Sequence, residues 1–403
     1  MYDVYEIRKD FPELSLNVNG KPNTFLDTAA SAQKPQAVLD KMMNFYCTHY
    51  SNVHRGSYYF SEQATIEYEQ ARTRAAAFIN AEEKEIIFTR SATEGINLVA
   101  ATWGMNNLHE GDEILLSQAE HHANLVPWQA VRDKTGCKLK FFKVNDDGSY
   151  NPENFYKELN ENTKLVGVTG MSNVLGTVFP IKEIAAAAHK VGALCLVDAC
   201  QAIVHQAIDV KDIDCDFMAF SGHKVYGPTG IGVLYGKYEH LEKMPPYQMG
   251  GDMVKKVTYE HTEFAEPPAR FEAGTPAIAQ AVGLGEALCY MQKLGMENIA
   301  AHEKALMEYA LPKLYDIKGF KMIGTAPDKG GVISFALGNI HPQDVAFVLD
   351  KEGVAIRTGH HCAEPIVNRM GYTSVARASF GLYTTVEDID RFVAALIKAE
   401  SFF

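Results

Sequence analysis

Between about residue 85 and residue 235, short apolar runs alternate with stretches of helical character. The runs are Glu85–Thr89, Glu113–Ser117, Lys138–Val144, Lys164–Thr169, Leu194–Asp198, Asp216–Phe220 and Ile231–Tyr235. Ala92–Trp103, Ala123–Arg132 and Ile181–Val191 read as helices between some of them. A strand that is apolar throughout has no solvent face, so it belongs in a sheet covered on both sides. Alternation with helices predicts an α/β fold built on a mainly parallel, seven-stranded sheet. In such sheets ligands collect at the C-terminal ends of strands, where loops meet helix N-termini.

After Tyr235 the rhythm changes. Met244–Pro246, Gly250-Gly251 and Pro267-Pro268 mark an irregular stretch rich in turn chemistry. Thr275–Leu294 reads as a long connecting helix. A second αβ region follows, with strands near Val332–Ala336, Val354–Arg357 and Val375–Phe380 and a last helix at Val386–Ala399. A chain of 403 residues is long enough for two cores. The expected division is an N-terminal segment (1–20) able to pack on either side, a large domain (21–290) and a smaller C-terminal α/β domain (291–403).

Composition narrows the function classes. The net charge of −12 argues against a general nucleic-acid or anionic-membrane surface, though not against a local site for a small anion. The richest apolar stretch, Ile184–Ile203, is interrupted by His189, Lys190 and Asp198, too polar for a membrane span. Seven scattered cysteines without a C-x-x-C speak against a disulfide framework or a zinc ribbon. Met1–Leu14 carries charges and no apolar core, so a reducing, cytoplasmic setting is expected.

Four strand ends carry polar residues that an ordinary turn does not need. Arg90-Ser91-Ala92-Thr93-Glu94-Gly95 offers hydroxyls and backbone N–H groups to an anion, or is a plain helix cap. Glu120-His121-His122-Ala123-Asn124 carries two histidines that could stack on a ring or move protons, or be structural; no metal-ligand spacing is present. Asp198, at the end of an apolar strand, needs a cationic or hydrogen-bonded partner, or serves as a cap or in a structural ion pair. Lys224, in Ser221-Gly222-His223-Lys224, can reach a ligand crevice and form an imine, or be a solvated loop lysine. Gly227-Pro228-Thr229-Gly230-Ile231-Gly232 is neither a P-loop nor a dinucleotide fingerprint. Taken together, a phosphate cradle, a ring-stacking histidine, an acid for a pyridinium nitrogen and an imine-forming lysine are the set that pyridoxal-phosphate chemistry needs.

Val197-Asp198-Ala199-Cys200-Gln201 with Phe220-Ser221-Gly222-His223-Lys224 is similar to the class V aminotransferase superfamily of fold-type I pyridoxal-phosphate enzymes. Arg357-Thr358-Gly359-His360-His361-Cys362-Ala363 narrows the resemblance to group II cysteine desulfurases of the SufS type. It extends from Phe25-Leu26-Asp27-Thr28-Ala29-Ala30 to Arg377-Ala378-Ser379-Phe380. The resemblance implies that Lys224 holds the cofactor as an imine, His121 stacks on its ring, Asp198 pairs with the ring nitrogen and Gln201 contacts the phenolic oxygen. It implies phosphate ligands in Thr93, Ser221 and His223, and in Thr275 reaching the partner subunit's phosphate, hence a homodimer. Asn173, Arg357 and Arg377 then face the substrate, L-cysteine, and Cys362 takes its sulfur as a persulfide.

The same resemblance leaves rival readings: a selenocysteine lyase or an aminotransferase on this fold, or a non-enzymatic sulfur or metal carrier using His360, His361 and Cys362. A transaminase needs no thiol nucleophile, so Cys362 favours desulfuration. Glu364 departs from the pattern, which commonly has methionine or glutamine there; a carboxylate close to a thiol would raise its pKa. His341-Pro342-Gln343-Asp344 has glutamine where relatives served by zinc-bearing SufU-type acceptors tend to carry a second histidine. A SufE-type acceptor is therefore expected, feeding iron–sulfur cluster assembly.

Overall fold

The computed structural model describes residues 2–403. Seven strands form the central sheet: β1 (Ile86–Thr89), β2 (Glu113–Ser117), β3 (Lys138–Phe142), β4 (Thr163–Thr169), β5 (Leu194–Asp198), β6 (Phe217–Ser221) and β7 (Gly232–Gly236). Their order is β1-β7-β6-β5-β4-β2-β3. Every residue of β1, β2, β6 and β7 is buried, which is why each reads as an unbroken apolar run. β1 and β3 are the two edges, and the exposed Lys138 marks β3 as one. β7 alone is antiparallel to both its neighbours. The connection from β6 to β7 spans only about ten residues, too short for the helical crossover a parallel strand requires.

Helix Ile181–Lys190 shows how the faces are covered. Ile181, Ile184, Ala185, Ala187 and Ala188 form its buried stripe, and it stops before Gly192, which takes φ +81°. On the other half, helices Gln36–Thr48 and Tyr59–Phe78 pack on Ile278–Leu294. The predicted connector thus begins three residues later than expected, after Pro276.

The C-terminal sheet is antiparallel: β8 (Phe320–Ile323), β9 (Val332–Leu337), β10 (Arg357–Gly359) and β11 (Val375–Ser379), in the order β8-β9-β11-β10. Helices Met296–Tyr315, Pro342–Lys351 and Val386–Phe402 cover it. The strand expected at Val354–Arg357 is divided at Ile356. Val354–Ala355 pairs in parallel with Thr24–Phe25, whereas Arg357 onward pairs with β11. Leu26 consequently lies in the core of the C-terminal sheet.

The opening segment touches both halves. Arg8 donates to Asp388 at 2.8 Å and to the Tyr383 carbonyl at 3.0 Å. Asp10 accepts from Tyr290 Oη at 2.7 Å, on the helix Ile278–Leu294 of the large half. No helix among the described residues is long and apolar enough to cross a membrane.

Candidate active site

The C-terminal ends of β1, β2, β4, β5 and β6 open on one cavity of about 390 Å³. β1 delivers Ser91 and Thr93, β2 delivers His121, β4 leads to Met171 and Asn173, β5 supplies Asp198 and Gln201, and β6 supplies Ser221, His223 and Lys224. The C-terminal sheet closes the other side with Arg357, His361, Cys362 and Arg377. Close packing of backbone sharpens the cradle at β1: a Cβ on Gly232 would sit 2.6 Å from Ser91 Cα, so only glycine lets β7 pass there.

Lys224 Nζ donates to the Ala29 carbonyl at 3.1 Å, and Gln201 Nε2 donates to the same oxygen at 2.8 Å. Burial pushes the Lys224 ammonium below its ordinary range. Arg377 adds to that shift, while Cys200, Asp198 and Cys362 oppose it. Asp198 is buried, and its Oδ1 accepts from Cys200 N at 3.0 Å. The Ala92 N–H donates to Ser221 Oγ at 2.9 Å, fastening β6 to the first turn of helix Ala92–Val99. Burial, helped by Lys224 and Lys34, pushes His223 down to about 4, so it is neutral near pH 7.

His121 is neutral too: burial lowers its pKa, Lys224, His122 and Arg377 add to the effect, and Asp198 opposes it. Its Nδ1 accepts from the Ala123 N–H at 3.0 Å, which leaves the ring proton on Nε2. His122 has a different task. Its backbone N–H donates to the Cys362 carbonyl at 2.7 Å, and its Nε2 accepts from the Glu364 N–H at 3.1 Å. The histidine pair is therefore divided between the cavity and the cysteine loop.

Cys362 is exposed at the cavity mouth. It takes φ +55° and His361 takes φ +52°, two consecutive left-handed non-glycine residues. That backbone is costly and persists only where the surroundings hold it. The clamp by His122 and the Asn173 Nδ2 bond to the His361 carbonyl at 2.7 Å do so here. The Glu364 backbone is what anchors to His122; its side chain is exposed at the start of helix Glu364–Arg369.

Two arginines complete the cavity wall on the side of the C-terminal sheet. Arg377 is buried, donates to the Asn173 carbonyl at 3.0 Å and to Asp27 Oδ1 at 3.3 Å, and is lowered by burial to about 10, so it remains charged. Arg357 donates to Asp27 Oδ2 through Nε at 3.0 Å and Nη2 at 2.9 Å. Asp27 joins both arginines, a role the sequence reading did not assign. Its position after the apolar Phe25-Leu26 was the available signal. Cys200 also lines the cavity without having been singled out, and His361, named above only for a carrier, lines it as well.

Eleven of the twelve residues expected at the site thus share one cavity. Thr275 does not. It is exposed and lines a separate cavity of about 500 Å³ with Arg90, Tyr247 and Gly274. Among the described residues no group of three or more His, Cys, Asp or Glu side chains could hold a metal ion.

The family model for aminotransferase class-V matches residues 24–392. The chain belongs to the class-V aminotransferase family. A cysteine desulfurase of Synechococcus elongatus is 46% identical over 401 residues, covering 99% of this chain and 64% of that relative. A probable cysteine desulfurase of Halalkalibacterium halodurans is 47% identical over 403 residues, covering 100% and 99%. The chain therefore spans just under two thirds of the first relative and nearly all of the second. The crystal structure of the cysteine desulfurase CsdA from Escherichia coli superposes with a TM-score of 0.93 at 36% identity, covering all of both chains. This class-V member therefore shares its overall fold with that structure along the whole chain.

Proposed function

We propose that the chain is a cysteine desulfurase of group II, taking sulfur from L-cysteine onto Cys362 and releasing L-alanine. One observation carries this reading: an amine of lowered pKa, Lys224, and an exposed thiol, Cys362, come from different sheets to the same cavity beside a buried arginine. A transaminase of this fold needs no thiol at that place.

The donor set suits pyridoxal phosphate. Asp198 presents a buried carboxylate, Lys224 a deprotonatable amine, and Ser221 and the first turn of helix Ala92–Val99 bring polar groups and a helix N-terminus to the cavity wall. Lys224 would hold the aldehyde, with His121 on the ring, Asp198 at the ring nitrogen, Gln201 at the phenolic oxygen, and Thr93, Ser221 and His223 at the phosphate. When bound, the cofactor supplies an electron sink that weakens the bonds at Cα and Cβ of an amino acid.

The chain's own residues do the rest. Arg377, with Asn173 and Arg357, holds the substrate carboxylate; a planar guanidinium fixes its orientation. Burial lowers the Lys224 pKa, which makes its proton easier to give up, and His121 can move one at Nε2. The Cys362 thiolate, facing Lys224, Arg357 and Arg377, attacks the substrate sulfur. An S–S bond forms as the C–S bond breaks, and the carbon takes up a proton to become the methyl of alanine.

Asp198→Asn keeps the size but loses the charge that would keep a ring nitrogen protonated. Turnover of cysteine is expected to fall at least about a hundredfold while cofactor binding survives. Steady-state alanine release and cofactor content check this; an unchanged rate removes Asp198 from that role.

A homodimer, with Thr275 meeting the partner subunit's phosphate, belongs to the same proposal. Helix Gln36–Thr48 and the segment after it leave Leu39, Met43, Tyr46, Tyr50, Tyr59 and Phe60 exposed, a large apolar face for a free monomer. The setting proposed is cytoplasmic, and the use of the sulfur is iron–sulfur cluster assembly. For the acceptor we favour a SufE-type protein. Gln343 and His341 both lie exposed at the start of helix Pro342–Lys351, and glutamine is a poor zinc ligand beside an imidazole. A SufE-type protein needs only a thiolate to take sulfur from Cys362 by exchange. At matched concentration it should stimulate turnover more than a zinc-bearing SufU-type protein; the reverse order would sink this choice.

A further inference from the structure

We propose that Glu120 is a positioning residue that sets the place of His121, because each of its carboxyl oxygens is held by a nitrogen donor that cannot reverse. The inference rests on the reading that His121 works on the cofactor face. Glu120 is buried, directly precedes His121, and has no cation in hydrogen-bond contact. Its Oε1 accepts from the Thr169 backbone N–H at 2.8 Å and from Ser117 Oγ. Its Oε2 accepts from Asn124 Nδ2 at 2.7 Å.

The direction of the two nitrogen-donated bonds is fixed. A backbone N–H only donates. Asn124 cannot turn its amide over, because its Oδ1 accepts from Trp128 Nε1 at 2.9 Å and an indole N–H only donates. Glu120 therefore ties the ends of β2 and β4 to the turn that carries His121. Thr169 pairs with Asp198 in register, so the same tie fixes His121 relative to Asp198. Burial pushes the Glu120 carboxyl up to about 8, with the charge of Asp198 adding and the three hydrogen bonds opposing. No group in the proposed chemistry uses that carboxyl directly.

The test is a polarity swap. E120Q puts an amide N–H2 against either the Thr169 N–H or the Asn124 N–H2, leaving two buried donors face to face. The double variant E120Q/N124D restores the pattern. The introduced amide oxygen at position 120 accepts from Thr169, and its N–H2 donates to the introduced carboxylate at position 124, which also accepts from Trp128. E120Q should lower kcat about tenfold or more with KM changed less than about threefold, and the swap should recover most of that loss. The imidazole resonances of His121 should shift in E120Q and return in the swap. In an H121N background, E120Q should cost less than about twofold, because a residue acting through His121 has nothing left to act on.

Unmoved His121 resonances in E120Q would overturn the proposal, as would the same loss with His121 already replaced. If E120Q alone does not fold, the swap carries the test: a folded swap with native His121 resonances supports the proposal, and a swap that also fails to fold contradicts it. A fully active H121N would instead defeat the underlying reading of His121, which is a different result.

Discussion

Lys224→Ala should abolish turnover of cysteine, by at least about ten-thousandfold, together with the visible absorbance band of tightly bound cofactor. The size of the effect follows from the cavity. Lys224 is the only lysine lining it, so no neighbouring amine can take over the covalent link. Burial also lowers its pKa, so on the proposed mechanism the variant loses a proton carrier as well as an anchor. The phosphate and ring contacts proposed for Ser221, His223, Asp198 and His121 remain, so weak, reversible cofactor binding should survive. Borohydride treatment followed by peptide mapping checks the link. A reduced, cofactor-labelled lysine elsewhere in the K224A chain would show that the wrong residue was assigned.

Cys362→Ala should leave the cofactor spectrum intact while persulfide formation from cysteine falls at least about a thousandfold. Two cysteines line the cavity, and their environments differ. Burial pushes the Cys200 thiol far up, with the charge of Asp198 adding, so Cys200 stays protonated and unreactive. Cys362 is exposed on a clamped loop and faces three cations. Cys200→Ala should therefore retain alanine release within about threefold of the unsubstituted chain, since it removes a half-buried thiol outside the proposed chemistry. Undiminished sulfur release from C362A, or its loss in C200A with the fold intact, would reverse the assignment.

The large sheet was legible because its strands are buried on both faces. Runs such as Glu113–Ser117 and Leu194–Asp198 have no polar alternation to confuse with an exposed strand. The site was legible because Asp198, His121 and Lys224 break those runs where a parallel sheet collects ligands. What stayed hidden has physical causes. Helix Tyr59–Phe78 buries Ala64, Ala71 and Ala75 along with Ser61 and Arg72, so its inward face carries little hydrophobic signal. Arg72 is held inside by Glu272 at 2.7 Å, a partner some two hundred residues distant in sequence. β8 has an exposed Lys321 and reads as surface. Asp27 acquires its role only when β10 and β11 bring Arg357 and Arg377 to it from the far end of the chain. Thr275 was assigned from resemblance and lines a separate cavity; the role proposed for it needs a second subunit, which no contact within one chain can supply.

The central claim is that sulfur leaves cysteine inside this cavity and comes to rest on one thiol. A single turnover with isotopically labelled cysteine, quenched with a thiol-alkylating reagent and followed by peptide mass mapping, tests it most directly. Alanine and persulfide are expected in equal amounts, with the extra sulfur on the peptide that contains Cys362. Alanine formed without sulfur on that peptide, or sulfur found on the peptide carrying Cys200 instead, would contradict it.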